Sequence, residues 1–416
     1  MNKEWLTKRL IEVCEIKPPK SEARKRLKGN DLVSFLPMED LGITTKYILA
    51  NQKRKFAEVS GSYTYFADKD VLLAKITPCF ENGKVGIARD LINGIGFGSS
   101  EYIVFRSKGE IDPEYLFYYI SREQFRKEGC KAMAGAVGHK RVSKEFIENY
   151  LIPYPKSLPE QQRIVSILDE AFAAIARAKA NAEQNLKNAK ELFESCLRSV
   201  FETKGEDCKE KTLGEIAKVI GGYSFKSGDF RTEGQYQVIR MGNVRPGIIR
   251  ENENPVFIDK LDDNILKRAL LWPNDVIITQ TGTKKKRDYG FTAIIEKENY
   301  LLNQRISAIR FSQNYLPKFF LYFSWTNQFR DQYFANETGT VGQGNVGIGA
   351  IINALVPVPS LKSQQAIVQK FDALLDDVNR LEAIYEQKIN NLEELKKSIL
   401  EKAFKGELKT LQPVLA

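Results

Sequence analysis

Histidine is almost absent from this sequence, because His139 is the single one among 416 residues. Ser-His-Asp and Cys-His mechanisms need an imidazole beside the nucleophile, so enzymes of these classes are not expected. The five cysteines are scattered without CxxC spacing, which leaves a zinc ion without clustered ligands. We therefore expect no metal site and reduced thiols.

Long apolar runs are missing as well. No stretch approaches the roughly 20 apolar residues that span a bilayer. The first residues, MNKEWLTKRLIEVCEI, alternate charged and apolar side chains and do not resemble a signal peptide. We expect no membrane partner and a cytoplasmic location. The hydrophobic content of 43% and charged content of 28% are typical of a globular chain with two or more domains.

Nucleotide-binding and methyltransferase motifs are also missing. The glycine-rich stretches at 93–100 and 342–349 lack the lysine and hydroxyl residue of a phosphate-binding GxxxxGK[ST] loop. The nearest string to the Asn-Pro-Pro-Tyr tetrad of adenine methyltransferases is Asp112-Pro113-Glu114-Tyr115. We interpret it as a helix N-cap followed by proline at the first helical position. The sequence predicts no catalytic residue, no metal ligand and no cofactor bound by this chain.

What the sequence does contain is an internal repeat. SLPEQQRIVSILDE at 157–170 returns as SLKSQQAIVQKFDA at 360–373, and the similarity extends over 45 positions, of which 17 are identical. GAVGHKRV (135–142) likewise matches GTVGQGNV (339–346), and DVLLAK (70–75) matches DVIITQ (275–280). The whole chain is therefore a tandem duplication.

Each copy has two parts. The first, of about 155 residues, mixes short strand patterns with helix patterns, which indicates an α+β domain. The second, of about 45 residues, shows a heptad pattern typical of a coiled coil. Its positions in the second copy are Phe371, Val378, Tyr385, Leu392 and Ile399, with Leu374, Leu381, Lys388 and Leu395; in the first copy they are Leu168, Ile175, Ala182, Ala189 and Cys196, with Ala171, Ala178, Asn185 and Leu192.

The two heptad helices differ in bulk, because the first is rich in alanine and the second is not. A small helix surface facing a bulky one packs closely, so we expect an antiparallel coiled coil within one chain and two pseudo-symmetric α/β domains at the ends of a rod. Oligomerisation or simple core packing is the alternative. The expected boundaries are domains at 1–156 and 205–359, helices at 157–204 and 360–406, and a tail at 407–416.

The positive charge favours a polyanionic partner, since the formal net charge is +10 and cations displace counterions from phosphates. The segment GTKKKRDYGF (282–291) indicates a basic hairpin tip that can enter a major groove, with a solvated turn as the alternative. The matched glycine loops either approach DNA or form structural turns. The candidate DNA-binding residues are Lys53, Arg54, Lys55, Lys75, Lys84, Arg89, His139, Lys140, Arg141, Gln280, Lys284, Lys285, Lys286, Arg287, Tyr289, Gln343 and Asn345.

The chain resembles the specificity subunits of type I restriction-modification systems. IPYPKSLPEQQRIVSILD (152–169) looks like that family's proline-flanked helix start, and SILEKAFKGELK (398–409) looks like its usual helix end. The second copy departs from the pattern, since Lys362 and Ser363 replace Pro159 and Glu160.

The resemblance implies that each domain reads one half of a bipartite, asymmetric DNA target. The two helices would set the spacer and dock two modification subunits, which bring S-adenosylmethionine and methylate adenine; restriction subunits would add ATP- and Mg-dependent cleavage. Candidate partner-binding residues are Gln161, Gln162, Arg177, Gln364, Gln365 and Arg380. The alternatives are a methylation-only or type II-like system, a chain with its own methyltransferase or nuclease activity, and a coiled-coil DNA-binding or assembly protein unrelated to restriction.

Overall fold

A computed structural model describes residues 5–43, 45–136, 138–203, 208–340 and 342–408. They form two compact units. Unit 1 contains the described residues of Met1–Glu183 and Gln387–Ala416, and unit 2 is Gln184–Glu386. The domain boundary predicted at 204/205 and residues 409–416 of the predicted tail lie outside the described residues.

Unit 1 is mixed α and β. Its strands are β1 (Trp5–Arg9), β2 (Cys14–Ile16), β3 (Leu32–Leu36), β4 (Gln52–Lys55), β5 (Thr64–Ala67), β6 (Val71–Ala74), β7 (Val85–Ile87), β8 (Ile95–Gly98), β9 (Tyr102–Ser107), β10 (Met133–Ala134), β11 (Arg141–Val142) and β12 (Leu151–Pro155). Its helices are α1 (Leu10–Val13), α2 (Ser21–Arg26), α3 (Phe56–Val59), α4 (Pro113–Ile120), α5 (Glu123–Lys131) and α6 (Lys144–Asn149), followed by the first part of α7 (Leu158–Glu202).

Unit 2 repeats this plan. Its strands are β13 (Lys209–Thr212), β14 (Ala217–Gly221), β15 (Tyr236–Ile239), β16 (Val244–Arg245), β17 (Ile248–Ile249), β18 (Phe257–Ile258), β19 (Val276–Thr279), β20 (Thr281–Thr283), β21 (Thr292–Ile294), β22 (Tyr300–Leu302), β23 (Ile306–Phe311), β24 (Gln343–Asn345) and β25 (Leu355–Val358). Its helices are α8 (Leu213–Ile216), α9 (Asp263–Ala269), α10 (Pro317–Ser324), α11 (Asn327–Ala335) and α12 (Ile348–Ile352), followed by the first part of α13 (Leu361–Lys405).

The sheets of the two units correspond. The order β2-β9-β6-β7 in unit 1 matches β14-β23-β19-β21 in unit 2. The order β4-β3-β8-β5 matches β18-β15-β22, and the terminal pair β1-β12 matches β13-β25. In each unit the first of these sheets shares a core with a helix rich in aromatic residues, α4 or α10. The duplication of the sequence is therefore a duplication of the α+β fold, as predicted.

Helix α4 begins as the sequence indicates. The side chain of Asp112 accepts hydrogen bonds from the backbone N–H groups of Glu114 and Tyr115, and Pro113 lies at the first helical position. Such a cap satisfies N–H groups that have no partner inside the helix. The interpretation of this tetrad as a helix start is confirmed.

A buried ion pair recurs in the two units. Arg106 donates from Nε and Nη2 to Asp70 at 2.8 and 2.7 Å, and Arg310 makes the same two bonds with Asp275 at 2.8 and 2.7 Å. Both aspartate side chains are 1% exposed. A bidentate arginine–carboxylate pair has fixed geometry, so each pair fixes β6 against β9, or β19 against β23.

In unit 1 the first part of α7 pairs with the last part of α13. Lys179 Nζ lies 2.6 Å from Glu393, and Lys396 lies over the ring of Phe172 at 5.0 Å. A later residue of α7 contacts an earlier residue of α13, so the two segments are antiparallel. The end of α13 also packs on the domain, because the Phe404 ring contacts Tyr115 of α4 at 5.0 Å.

The same arrangement recurs in unit 2. Lys190 Nζ lies 3.7 Å from Glu382, and the Phe201 ring stacks on Phe371 at 6.0 Å. Phe201, the counterpart of Phe404, packs on Phe319 of α10. The predicted antiparallel pairing of the long helices is confirmed within each unit.

The predicted heptad seam is only partly correct. Leu168, Ile175, Ala182 and Ala189 of α7 are buried, and so are Phe371 and Val378 of α13. The second set of heptad positions is largely exposed on the later turns: Asn185, Leu192, Leu381, Lys388 and Leu395. After Ala189 the buried residues of α7 are Phe193, Leu197 and Phe201, four apart, because a helix near 3.6 residues per turn drifts away from a strict heptad.

No helix among the described residues is long and apolar enough to cross a bilayer.

Candidate nucleic-acid interface

In unit 2 the structure joins two loops that are distant in sequence. Strand β20 pairs antiparallel with β24, with Thr283 opposite Gln343. The backbone N–H of Lys284 donates to the carbonyl of Gly342 at 3.3 Å. We call the described residues of 281–290 and 338–346 loop pair 2. It combines the basic segment and the glycine loop that the sequence indicates separately.

The basic segment of loop pair 2 connects β20 to β21. Strand β19, which precedes β20, pairs antiparallel with β21, so the predicted hairpin is present. Lys284, Lys285, Lys286 and Arg287 are exposed. Among the described residues, no carboxylate forms an ion pair with the three lysines. Arg287 Nη1 lies 4.0 Å from Asp331. Unpaired ammonium groups on an exposed turn suit phosphate oxygens.

The turn itself is held by Asp288. Its carboxylate accepts the backbone N–H of Thr283 at 2.6 Å, and this hydrogen bond holds the pKa of Asp288 below its usual value. The carboxylate therefore stays charged at neutral pH and keeps the turn closed. This pairing fixes where the lysines emerge from the strand.

Gln280 and Tyr289 lie in the core and not on the surface. The Gln280 amide donates to Val346 O at 3.0 Å, and its Oε1 accepts from Ser307 at 3.0 Å. Tyr289 is fully buried and hydrogen-bonded to Glu337; burial and this bond raise the pKa of its hydroxyl. Both predictions of DNA contact are corrected, because buried groups with internal partners support the loops and are not presented to a base.

Gln343 and Asn345 are exposed on β24. The Oδ1 atom of Asn345 accepts from the Thr281 hydroxyl at 2.9 Å. Glutamine and asparagine amides can pair with adenine edges. Their place in loop pair 2 is compatible with the predicted role.

Unit 1 has a corresponding loop pair. Strand β10 pairs with β11, with Ala134 opposite Arg141, and the backbone N–H of Thr77 donates to Lys140 O at 3.0 Å. We call the described residues of 75–77 and 133–142 loop pair 1. It presents His139, Lys140 and Arg141 at the surface.

An acidic residue that the sequence does not single out lies beside loop pair 1. Glu101 accepts from Arg141 Nε and Nη2 at 2.9 and 2.8 Å, and it lies 3.8 Å from Lys75 Nζ. The bonds from Arg141 hold the pKa of Glu101 below its usual value. Two of the predicted cations are therefore paired with one carboxylate.

The remaining cations of unit 1 lie on other elements. Lys84 donates to Met38 O at 2.7 Å, and Arg89 pairs with Asp90 at 3.2 Å. The segment NQKRKF forms edge strand β4, where Lys53 and Lys55 are exposed. Arg54 lies over the ring of Phe35 at 3.8 Å. No described contact joins any of these cations to loop pair 1, so their contribution to an interface stays a prediction.

The glutamines at the start of each long helix have an unexpected place. Gln161 is buried; it accepts from Asp112 N at 2.8 Å and donates to Pro155 O at 2.8 Å. Its counterpart Gln364 accepts from Leu316 N at 2.8 Å and donates to Pro359 O at 3.0 Å. Both fix a long helix to its own domain. Their predicted partner-binding role is corrected, because no polar group of either side chain remains for a partner.

Their sequence neighbours differ in exposure. Gln162, Gln365, Arg177 and Arg380 lie on the exposed surfaces of α7 and α13. Arg380 pairs with Asp377 at 2.8 Å. These four residues remain accessible, so their predicted partner-binding role stays a prediction.

A family model described as "Type I restriction modification DNA specificity domain" matches the chain twice, over residues 2–187 and 205–394. The EcoEI specificity subunit of type I restriction enzymes from Escherichia coli is 34% identical over 207 residues, which are 49% of this chain and 33% of that protein. The match thus spans about a third of that relative's length. The MjaVIII specificity subunit from Methanocaldococcus jannaschii is 23% identical over 88% of this chain and 85% of its own.

Solved structures share the fold. The HsdS subunit from Thermoanaerobacter tengcongensis is 19% identical and superposes with a TM-score of 0.67, covering 98% of both chains. A chain from "Structural basis underlying complex assembly and conformational transition of the type I R-M system" is 17% identical, with a TM-score of 0.78 and coverage of 98% of this chain and 99% of that one. The duplicated architecture is therefore common to these proteins.

Proposed function

The chain belongs to the family of type I restriction modification DNA specificity domains, and we propose that it is the sequence-reading subunit of such a system. Each unit binds one half of a bipartite DNA target through its loop pair. The paired long helices set the number of unread base pairs between the two halves. The chain is not itself an enzyme.

This proposal rests on loop pair 1 and loop pair 2, which occupy corresponding places on a duplicated scaffold. Loop pair 2 carries Lys284, Lys285, Lys286 and Arg287, and none of these has a counterpart among the surface cations of loop pair 1. A scaffold that repeats while its exposed loops diverge suits two different half-sequences. Cations contact phosphates and polar side chains distinguish bases.

The partners follow from the family. We propose that two modification subunits bind the chain and supply S-adenosylmethionine and adenine methylation, and that restriction subunits can add ATP, Mg²⁺ and DNA cleavage. This chain contributes no cofactor ligand of its own in the proposal. Its place is in the cytoplasm with the DNA that it reads.

Exposed apolar residues on the long helices support this docking. In unit 2, Leu192 is 54% exposed, Leu381 is 38% exposed and Ile384 is 51% exposed. Apolar side chains at an interface core gain free energy when a partner removes them from water. These residues are compatible with a protein partner on the helices of that unit.

Replacing Leu381 and Ile384 by glutamate is expected to abolish co-purification of the modification subunit, because two charges would be buried in an apolar contact. Pull-down from cells that express both chains measures this. Leu355→Glu, at an exposed apolar position on β25, is the matched control and should leave co-purification unchanged. Equal retention by both variants would place the docking surface elsewhere.

The function is tested by co-expression with the modification subunit from the same operon, followed by mapping of methylated adenines across a genome. The expected result is one bipartite motif with a fixed gap. Methylation without such a motif, or none at all, would contradict the proposal. An isolated chain that methylates or cleaves DNA alone would contradict its non-catalytic role.

A further inference from the structure

Three backbone segments meet at the base of loop pair 1. The N–H of Lys75 donates to Glu101 O at 2.9 Å, and the N–H of Val142 donates to Lys75 O at 2.9 Å. Arg141 precedes Val142 and lies opposite Ile76 in a β-bridge. Lys75, Glu101 and Arg141 therefore occupy three fixed positions on one backbone frame.

Loop pair 2 has the same frame. The N–H of Gln280 donates to Arg305 O at 2.8 Å, and the N–H of Val346 donates to Gln280 O at 2.9 Å. Asn345 lies opposite Thr281. The three positions thus correspond one to one: Gln280 replaces Lys75, Arg305 replaces Glu101, and Asn345 replaces Arg141.

The two frames carry their arginine at different positions. In unit 1 the arginine is Arg141, and the position of Glu101 is acidic. In unit 2 the arginine is Arg305, at the position equivalent to Glu101, while Asn345 stands in place of Arg141. Neither Glu101 nor Arg305 is part of an obvious sequence motif. The equivalence becomes visible only through the shared backbone hydrogen bonds.

Arg141 is both exposed and restrained. Two of its nitrogens bind Glu101, and Nη1 donates to His139 O at 3.2 Å, yet 46% of the side chain is exposed. A guanidinium held in one plane loses little conformational entropy when it binds a second planar group. Glu101 therefore determines the direction in which Arg141 points.

Arg305 is exposed. Among the described residues, no carboxylate forms an ion pair with it. Its backbone has φ of 68°. A positive φ is uncommon for a residue other than glycine, and residues with such a conformation cluster at binding sites. The side chain lines an open cleft of about 480 Å³ together with Arg240 and Gln304. Glu253 also lines the cleft and pairs with Arg250 at 2.8 Å, so the cleft gives this guanidinium a concave, polar surface.

We infer that Arg141 and Arg305 are the specificity-determining arginines of the two units and that Glu101 is a positioning residue for Arg141. The inference rests on the proposed function. Arginine pairs with O6 and N7 of guanine through two hydrogen bonds. Because the two arginines occupy different positions of the same frame, each selects a guanine at a different step of its own half-site.

The test uses the complex of the full chain with its modification subunit and a library of duplexes in which each half-site is randomised in turn. Arg305→Lys keeps the positive charge but removes the planar fork of donors. We expect the preference for guanine at one position of one half-site to fall roughly 5- to 150-fold, with the other half-site unchanged. Arg141→Lys should do the same in the opposite half-site.

Glu101→Gln tests the positioning role. It should relax the same base position as Arg141→Lys while leaving overall affinity closer to wild type, because Arg141 remains present but is no longer held by a charged acceptor. Arg24→Lys on α2 and Arg268→Lys on α9 are matched controls at exposed arginines outside the loop pairs and the cleft, and both should retain the wild-type base preference. A purely structural glutamate would instead lower binding to all duplexes equally.

The outcomes separate two failures. A wild-type complex without any sequence preference contradicts the proposed function. A wild-type complex with a bipartite preference that Arg305→Lys and Arg141→Lys leave unchanged, or change in both half-sites, overturns only this inference. A uniform loss of affinity for every duplex would make the arginines phosphate contacts and would also overturn it.

Discussion

Replacing Lys284, Lys285, Lys286 and Arg287 together by alanine weakens the binding of unit 2 to its half-site and reduces the salt dependence of DNA binding. Each phosphate contact contributes about 0.9 to the slope of log affinity against log salt, so loss of four lowers the slope by up to about 3.6. Between 50 and 200 mM salt, the variant should therefore lose up to roughly 150-fold less affinity than the wild type does. Binding titrations at several salt concentrations measure it.

The control for this variant removes the same charge elsewhere. Lys260, Lys267, Lys362 and Lys370 are exposed, and their replacement by alanine also lowers the formal net charge from +10 by four, to +6. If only overall charge matters, both variants will show the same slope. If the four-alanine variant changes the base preference at both half-sites, the basic segment does not act on the half-site of unit 2 alone.

Arg106→Met is expected to destabilise unit 1 by about 3–5 kcal/mol, because it leaves a buried carboxylate without its partner. Asp70 is 1% exposed, and Arg106 supplies two of its hydrogen bonds. Urea unfolding of the purified chain measures the loss. Arg310→Met removes the equivalent bonds of Asp275 in unit 2 and should destabilise that unit instead.

The pH dependence of Arg106→Met checks the cause. Burial raises the pKa of Asp70 above its usual value even beside Arg106. A carboxyl group with a raised folded-state pKa adds stability at low pH, and this stability is lost as the pH rises through the folded-state pKa. The difference in free energy of unfolding between wild type and Arg106→Met should therefore be largest at neutral pH and become smaller on acidification.

A second substitution supplies the control. Asp70→Asn on the Arg106→Met background removes the unpaired charge and keeps an acceptor for the Ala67 N–H that Asp70 now receives at 2.7 Å. The double variant should be more stable than Arg106→Met alone. Equal stability of the two would mean that the lost packing of Arg106, and not a buried charge, causes the effect.

Several features could be predicted from the sequence because they depend on local patterns or on the repeat. The heptads and the flanking prolines predicted two long helices, and α7 and α13 are each 45 residues long. The α+β class and the antiparallel pairing were correct. Asp112 and Pro113 predicted the start of α4, since capping depends only on residues within one turn.

The candidate site was less predictable, because exposure depends on what lies above a residue. Gln280 and Tyr289 flank a basic run in the sequence, yet they face the core, where their polar atoms meet Ser307 and Glu337. Gln161 and Gln364 repeat in both copies and suggested a shared partner. Their repetition instead reflects a shared hydrogen bond between helix and domain.

The sequence by itself determined that this chain is a duplication of an α+β domain and a long helix, with a basic, divergent loop in each copy. These properties follow from periodicity, composition and alignment, which need no contact information. Only the tertiary structure decided that residues 75, 101 and 141 form one frame, and that 280, 305 and 345 form its counterpart. Such frames are made by hydrogen bonds between segments distant in the chain, and their partners are fixed only when the sheets have formed.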